Sequence, residues 1–196
     1  NGLGALACAE ELGADLALAA QSIATWTPFT GRGAREVIAL DPADSRMTLE
    51  LIDDAYNANP SSLGAALEVL AAAEVTHDIG RVSKGRRIAY LGDMKELGVD
   101  EIAMHRAVAT LPSIEKIDII NCVGPLMRHC FDALPDAKKG HWTADSKEMA
   151  SFVGHDLDAG DVVLAKGSLS MGLSRVVDAV TKLGHTAPKT SEKDDV

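Results

Sequence analysis

Two acids, a tyrosine and two asparagines fall between Asp53 and Asn59, in the run DDAYNANP that ends at Pro60. An alternating segment with Leu49 and Leu51 leads into this run, and an apolar-periodic stretch leads out of it. Polar side chains at the joint of a strand and a helix contribute little to packing, and loops hung on a rigid scaffold are common places for binding groups. Asp54 can accept hydrogen bonds from a ribose or simply cap a turn. Tyr56 can stack on a flat ring or merely pack. Asn59 can meet a ligand or serve as N-cap of a helix that Pro60 opens. Arg32, between Gly31 and Gly33, can reach a phosphate or lie on the surface. Three further runs, GDMKELG from Gly92, VGP from Val123 and KGSLS from Lys166, each place a glycine where an apolar segment stops. Glycine there permits a positive φ or a close backbone approach. Lys166 can hold a carboxylate or phosphate, or be a solvated lysine at a strand end. His105 is expected on the exposed or rim side of its helix.

Several chemistries lack their residues. The chain contains no GxxxxGK[ST] phosphate loop, no GxGxxG turn and no GxSxG elbow. Three cysteines form no CxxC pair, and six histidines show no HxxxH or HExxH spacing, so no zinc site is expected. The thiols read as reduced, in a cytoplasmic setting. A net charge of -10 and a pI near 5.0 argue against a nucleic-acid partner. No apolar run approaches the ~20 residues that span a bilayer, so no membrane partner is expected. The chain begins without Met, without a basic leader and inside a helical pattern, which suggests a piece of a longer protein.

The elements that would position these residues alternate. Two helical segments precede a break at TWTPFTGRG, and a domain boundary is placed near Gly33. Strand-like runs are expected at Glu36–Leu40, Met47–Asp53, Ile88–Leu91, Ile117–Val123, Asp161–Ala165 and, more weakly, Gly140–Thr143. Helices are expected at about Ser61–Glu74, Glu101–Leu111, Leu126–Leu134, Ser146–Leu157 and Leu173–Leu183. The face of the Glu101–Leu111 helix is assigned to Met104, Ala107, Val108 and Leu111. This order predicts an α/β fold: a three-layer, Rossmann-like domain with a mostly parallel sheet of about six strands, helices on both faces, and a short helical remnant in front. In such sheets the ligand crevice runs along the carboxyl ends of the strands. The GDMKELG, VGP and KGSLS turns should therefore share one rim, with the DDAYNANP turn beside them. Residues 185–196 read as a polar, disordered tail.

In order and spacing, DDAYNANPSS, GDMKELG with His105 downstream, and VLAKGSLSMGLSRVV resemble the Mur ligase family, and within it the branch that adds D-alanyl-D-alanine. The resemblance runs from about Asn1 to Gly184. It implies that residues 1–33 are the end of a central ATP-binding domain and residues 34–184 the family's C-terminal domain. It implies a reaction in which ATP phosphorylates the carboxylate of UDP-N-acetylmuramoyl-tripeptide, and D-alanyl-D-alanine attacks the acyl phosphate. ATP and Mg2+ are the implied cofactors, held mainly by the central domain, while the C-terminal domain closes over ATP and presents the dipeptide in a monomeric enzyme. By motif position, Arg32, Asp54, Tyr56, Asn57 and Asn59 are the implied nucleotide-binding residues. Asp93, Glu96, Lys166 and Ser168 are implied on the incoming-substrate side, with no catalytic residue or metal ligand assigned. The sequence departs from the family at Leu169 and at Leu173-Ser174, where an arginine and a Met-Glu pair are usual. Taken without the resemblance, the residues fit equally a stand-alone nucleotide- or amino-acid-binding module.

Overall fold

In a computed structural model of the chain, which describes residues 2–25 and 27–184, the alternation resolves into six strands and seven α-helices. The strands are β1 (Ala34–Ala39), β2 (Thr48–Asp54), β3 (Arg87–Gly92), β4 (Ile119–Val123), β5 (Lys139–Thr143) and β6 (Val162–Lys166). They lie in the order β1-β2-β6-β3-β4-β5. β1 pairs antiparallel with β2, and every other pairing is parallel. The loop 40–47, with a turn closed by Met47 N–H on Asp44 O at 3.0 Å, makes the first two strands a hairpin, and its outer strand is largely exposed, with Val37 open to solvent.

Two-residue periodicity divides the strands between two cores. Ile52, Ala89, Leu91, Ile120, Cys122, Val162 and Leu164 face α3 (Pro60–Ala72), α4 (Glu101–Val108) and α5 (Met127–Ala133). Leu49, Leu51, Ile88, Tyr90, Val123 and Val163 face α6 (Ser146–Asp156) and α7 (Ser174–Thr181). The inner strands β3 and β6 are buried on both sides, as parallel strands between helical layers must be.

The helix starts follow local chemistry. Pro60 supplies a fixed φ at the first turn of α3, and Asn59 caps it. Asp145 Oδ1 accepts from Lys147 N–H and Glu148 N–H to start α6. Ahead of the sheet, α1 (Gly2–Glu11) and α2 (Leu16–Ala24) form a hairpin that buries none of its residues, and Leu3, Leu12 and Leu18 are open. No helix among the described residues is long and apolar enough to cross a membrane. The expected tail at 185–196 lies outside the described residues.

One expectation is corrected. α4 stops at Val108, and its buried face is His105 and Val108, with Ala107 exposed. His105 is fully buried rather than on the rim. Its Nδ1 lies 2.6 Å from Glu101 O and its Nε2 accepts from Met94 N–H at 2.9 Å, so hydrogen bonding satisfies the ring in an apolar layer.

Candidate functional site

The carboxyl ends of β2, β6, β3 and β4 meet at one edge. Asp54 and Lys166 pair in register at the ends of β2 and β6. Lys166 Nζ donates to Asp54 Oδ2 at 2.6 Å and to Asn57 O at 2.9 Å. Its side chain is 2% exposed and that of Asp54 is 24% exposed. The ammonium is therefore taken up by the chain itself, and it fastens the DDAYNANP turn to the KGS turn.

The next joint is backbone on backbone. A Cβ on Gly167 would fall 2.9 Å from Gly92 Cα. These two glycines thus let β6 and β3 close on each other as they leave the sheet. Beyond them, Ser168 N–H donates to Asp93 O at 3.1 Å, and Lys95 N–H donates to Ser168 Oγ at 2.9 Å. Asp93 is fully buried: Oδ1 accepts from Met127 N–H at 2.7 Å, at the start of α5, and Oδ2 pairs with Lys95 Nζ at 2.9 Å. Gly124, at φ +106°, passes over this carboxylate, where a Cβ would meet Asp93 Oδ1 at 2.5 Å. The GDM, VGP and KGS turns are one hydrogen-bonded unit, and His105 pins its Met94 from below.

On the β2 side, Asp53 organises the loop before β1. Its Oδ2 accepts from Gly31 N–H at 2.9 Å, its Oδ1 accepts from Ala55 N–H at 3.2 Å, and its carbonyl accepts from Gly33 N–H at 2.7 Å. Gly31 O in turn accepts from Tyr56 N–H at 3.0 Å. This brings the Arg32 guanidinium 4.4 Å from the centroid of the Tyr56 ring, and both side chains are exposed. Asn57 is also exposed, with Oδ1 turned back to Ala58 N–H. Asn59 accepts from Ser62 N–H at 2.8 Å, and Ser62 Oγ accepts from Asn59 N–H at 3.1 Å, a reciprocal capping box.

The residues singled out from sequence therefore divide by exposure. Arg32, Tyr56, Asn57, Asn59 and Glu96 present surface at the rim, and Asp54 is partly open. Asp93, Lys166 and Ser168 are buried in the joints that shape it. Glu96 sits at φ +64°, a strained conformation for a non-glycine residue, on the loop that follows Asp93. Sequence reasoning passed over two members. Asp53 adjoins the chosen Asp54, and Lys95 lies inside GDMKELG with its side chain 40% exposed. Only their long-range partners mark them out. The rim offers a guanidinium over a phenol ring, a partly open carboxylate, the Lys95 ammonium held by Asp93, and the exposed Glu96 carboxylate. These are groups for holding a polar ligand. Among the described residues no side chain hydrogen-bonds Ser168 Oγ, which accepts from the Lys95 backbone N–H.

The family model described as Mur ligase, glutamate ligase domain, matches residues 40–169. The UDP-N-acetylmuramoyl-tripeptide–D-alanyl-D-alanine ligase of Haemophilus influenzae is 31% identical over 183 residues, covering 90% of this chain and 35% of that protein. The ligase of the same name from Mycobacterium leprae is 30% identical over 193 residues, covering 92% and 37%. The chain thus spans about a third of the length of these curated relatives. Among solved structures, MurF ligase from Thermotoga maritima in complex with ADP superposes with a TM-score of 0.68 at 21% identity, over 91% of this chain and 36% of that one. MurF from Acinetobacter baumannii gives 0.71 at 22% identity, over 92% and 37%. At those identities the likeness is one of fold.

Proposed function

The chain belongs to the Mur ligase family through its C-terminal domain, and on that premise we propose that it is part of the ATP-dependent ligase that joins D-alanyl-D-alanine to UDP-N-acetylmuramoyl-tripeptide. In this reading residues 34–184 are the domain that closes over ATP and positions the dipeptide. Residues 1–33 are the end of the domain that holds the nucleotide's phosphates. The protein is a cytoplasmic monomer that works in peptidoglycan precursor synthesis.

The observation that carries the reading is the Lys166 bridge to Asp54 and Asn57 O, which ties the DDAYNANP turn to the KGS turn on the same edge as the GDM turn. Such a fused edge suits domain closure over two substrates, because much of the rate gain in amide formation comes from holding amine and acyl phosphate together. The exposed Tyr56 ring and the Arg32 guanidinium suit an adenine nucleotide, the ring by stacking and the cation by facing phosphate. Asn57 and the open side of Asp54 add polar contacts beside them. Lys95, whose part-exposed ammonium pairs with Asp93, and the exposed Glu96 put a cation and an anion on the GDM side, which suits the two charged ends of a dipeptide. For Mg2+, no group of three His, Cys, Asp or Glu side chains that could hold a metal ion is found among the described residues. Its place in this reading is on the preceding domain, and no step here runs through it.

ADP release coupled to a spectrophotometric readout tests the reading, with ATP, UDP-N-acetylmuramoyl-tripeptide and D-alanyl-D-alanine supplied. The longer protein is expected to turn over only when the dipeptide is present, and the 196-residue chain is expected to be inactive because it contains no GxxxxGK[ST] loop. Turnover by the 196-residue chain alone, or equal turnover of the longer protein without the dipeptide, contradicts the proposal.

A further inference from the structure

The opposite, amino-terminal edge of the sheet holds a cavity of about 210 Å3 between β3, β4, β5 and the end of α6, with Arg86, Asn121, His141, His155 and Asp156 in its wall. Asn121 is 1% exposed. Its Oδ1 accepts from His141 N–H at 2.8 Å, but its Nδ2 has no partner. Gly140 admits the carboxamide, since a Cβ there would collide with Asn121 Oδ1. Tyr90 stands next to Asn121 in the sheet register, is fully buried, and has an unpartnered hydroxyl. Burial, then the Asp156 charge, pushes that hydroxyl above its ordinary range, while Arg86 pulls it down. A buried donor left unpaired is costly, and Asn121 Nδ2, on a residue in the cavity wall, calls for a partner from outside the chain.

The charged groups narrow what that partner is. Arg86 uses Nε and Nη2 on Asp161 and Asp156 O, and its Nη1 makes no hydrogen bond among the described residues. Asp156 Oδ2 faces His141 Nε2 at 3.2 Å, and Oδ1 is likewise without a hydrogen bond among the described residues. The His141 ring is fixed by stacking on Phe152, with centroids 4.1 Å apart. Arg86 is matched by Asp161 and Lys139 by Asp136, so the cavity has no uncompensated positive charge for a bare anion. Its free donors lie on the strand side and its free acceptor at the helix end.

We propose that this cavity binds a free α-amino acid, with the carboxylate held by Asn121 Nδ2 and Arg86 Nη1 and the ammonium by Asp156 Oδ1. The site is distinct from the rim described above and stands independently of the proposed ligase activity.

Titration of the 15N-labelled 196-residue chain with alanine, acetate and ethylamine, read by NMR, tests it. Alanine is expected to give saturable shifts at the Asn121 side-chain amide and at the Gly140 and His141 N–H groups, in the millimolar range for so small a ligand. Acetate and ethylamine, each carrying one charged end, are expected to bind roughly tenfold more weakly or less. Asn121→Asp keeps the acceptor for His141 N–H but replaces the free donor with an oxygen, and roughly tenfold loss of alanine affinity is expected. Asp156→Asn, at a half-buried site, gives the same loss through the ammonium end and carries the test if Asn121→Asp does not fold. Unmoved Gly92 and Gly124 N–H signals report an intact sheet in either variant. No saturable shift with alanine, which would leave water alone in the cavity, overturns the proposal. Acetate binding as tightly as alanine, or a folded variant binding alanine as the parent does, also overturns it.

Discussion

Lys166 reads in sequence as a cation free to hold a ligand, yet the fold consumes it. Its ammonium is buried between Asp54 Oδ2 and Asn57 O. Removing one member of a buried pair leaves the other charge unmatched, a loss of about 3–5 kcal/mol. Asp54→Asn is thus expected to lower folding stability by about that amount, and Lys166→Met, which keeps the stem and removes the charge, by clearly less. Urea denaturation of the two variants checks the order; equal losses would show that the pair is not what holds the edge. Asn59 is the opposite case, exposed and explained by its cap. Asn59→Ala should cost about 1 kcal/mol, and Asn59→Ser, which also caps, only a few tenths. If Asn59→Ser nevertheless weakens ADP binding to the longer protein, as isothermal calorimetry would detect, the side chain meets nucleotide as well. At this scale the sequence exposes the polar residues of the DDAYNANP run but not their division of labour. His105 was hidden for a related reason. An imidazole whose two nitrogens are both satisfied behaves as a core residue, and a hydrophobic pattern assigns no histidine to a core.

At the scale of elements the expectation is nearly complete, because parallel strands between helical layers leave a strong mark: short continuous apolar runs, each ended by glycine. What escapes is the pairing across the amino-terminal edge, where partners lie far apart in the chain. Asp118 accepts from Arg87 N–H at 2.9 Å and pairs with Lys84 Nζ at 2.6 Å. Asp158 accepts from Val82 N–H at 2.6 Å and from Ala159 N–H at 2.9 Å, with Arg81 3.5 Å away. Burial pushes both carboxyls up, but these hydrogen bonds and the basic neighbours outweigh it, so both sit below the ordinary carboxylate range. A folded-state pKa below the unfolded one stabilises the protein above the unfolded value, about 3.9, and that stability is lost as pH falls through the lower folded value. The urea midpoint should hold between about pH 7 and 5 and fall below about pH 4. Asp118→Asn combined with Asp158→Asn should lower the midpoint at neutral pH and flatten the acid slope. An acid slope unchanged in the double variant would assign the effect to other carboxylates. At the other edge, Gly124→Ala must place a Cβ against Asp93 at a positive φ, and a loss of at least about 2 kcal/mol is expected by the same measurement.

At the scale of the whole molecule, packing is uneven. The sheet and its five helices share two cores, whereas the α1–α2 hairpin buries no residue and leaves Leu3, Leu12 and Leu18 open. Helices of 10 and 9 residues are marginal in water without tertiary contacts, whatever their composition. Their N–H groups should therefore exchange with deuterium orders of magnitude faster than those of β3 and β6, which open only with the whole sheet. Deleting residues 2–25 should leave the urea midpoint of the sheet nearly unchanged, within about 0.5 kcal/mol, because no core contact goes with them. Phe29, Gly31 and Arg32 stay in that shorter chain, so the loop held by Asp53 and Tyr56 is kept. Under the proposed function the open face would be the last layer of the preceding domain in the longer protein. Hydrogen exchange on that protein should then show α1 and α2 protected to the level of its central core. Fast exchange of the hairpin in both forms would break the assignment of residues 1–33 to that domain while leaving the sheet and its rim as they stand.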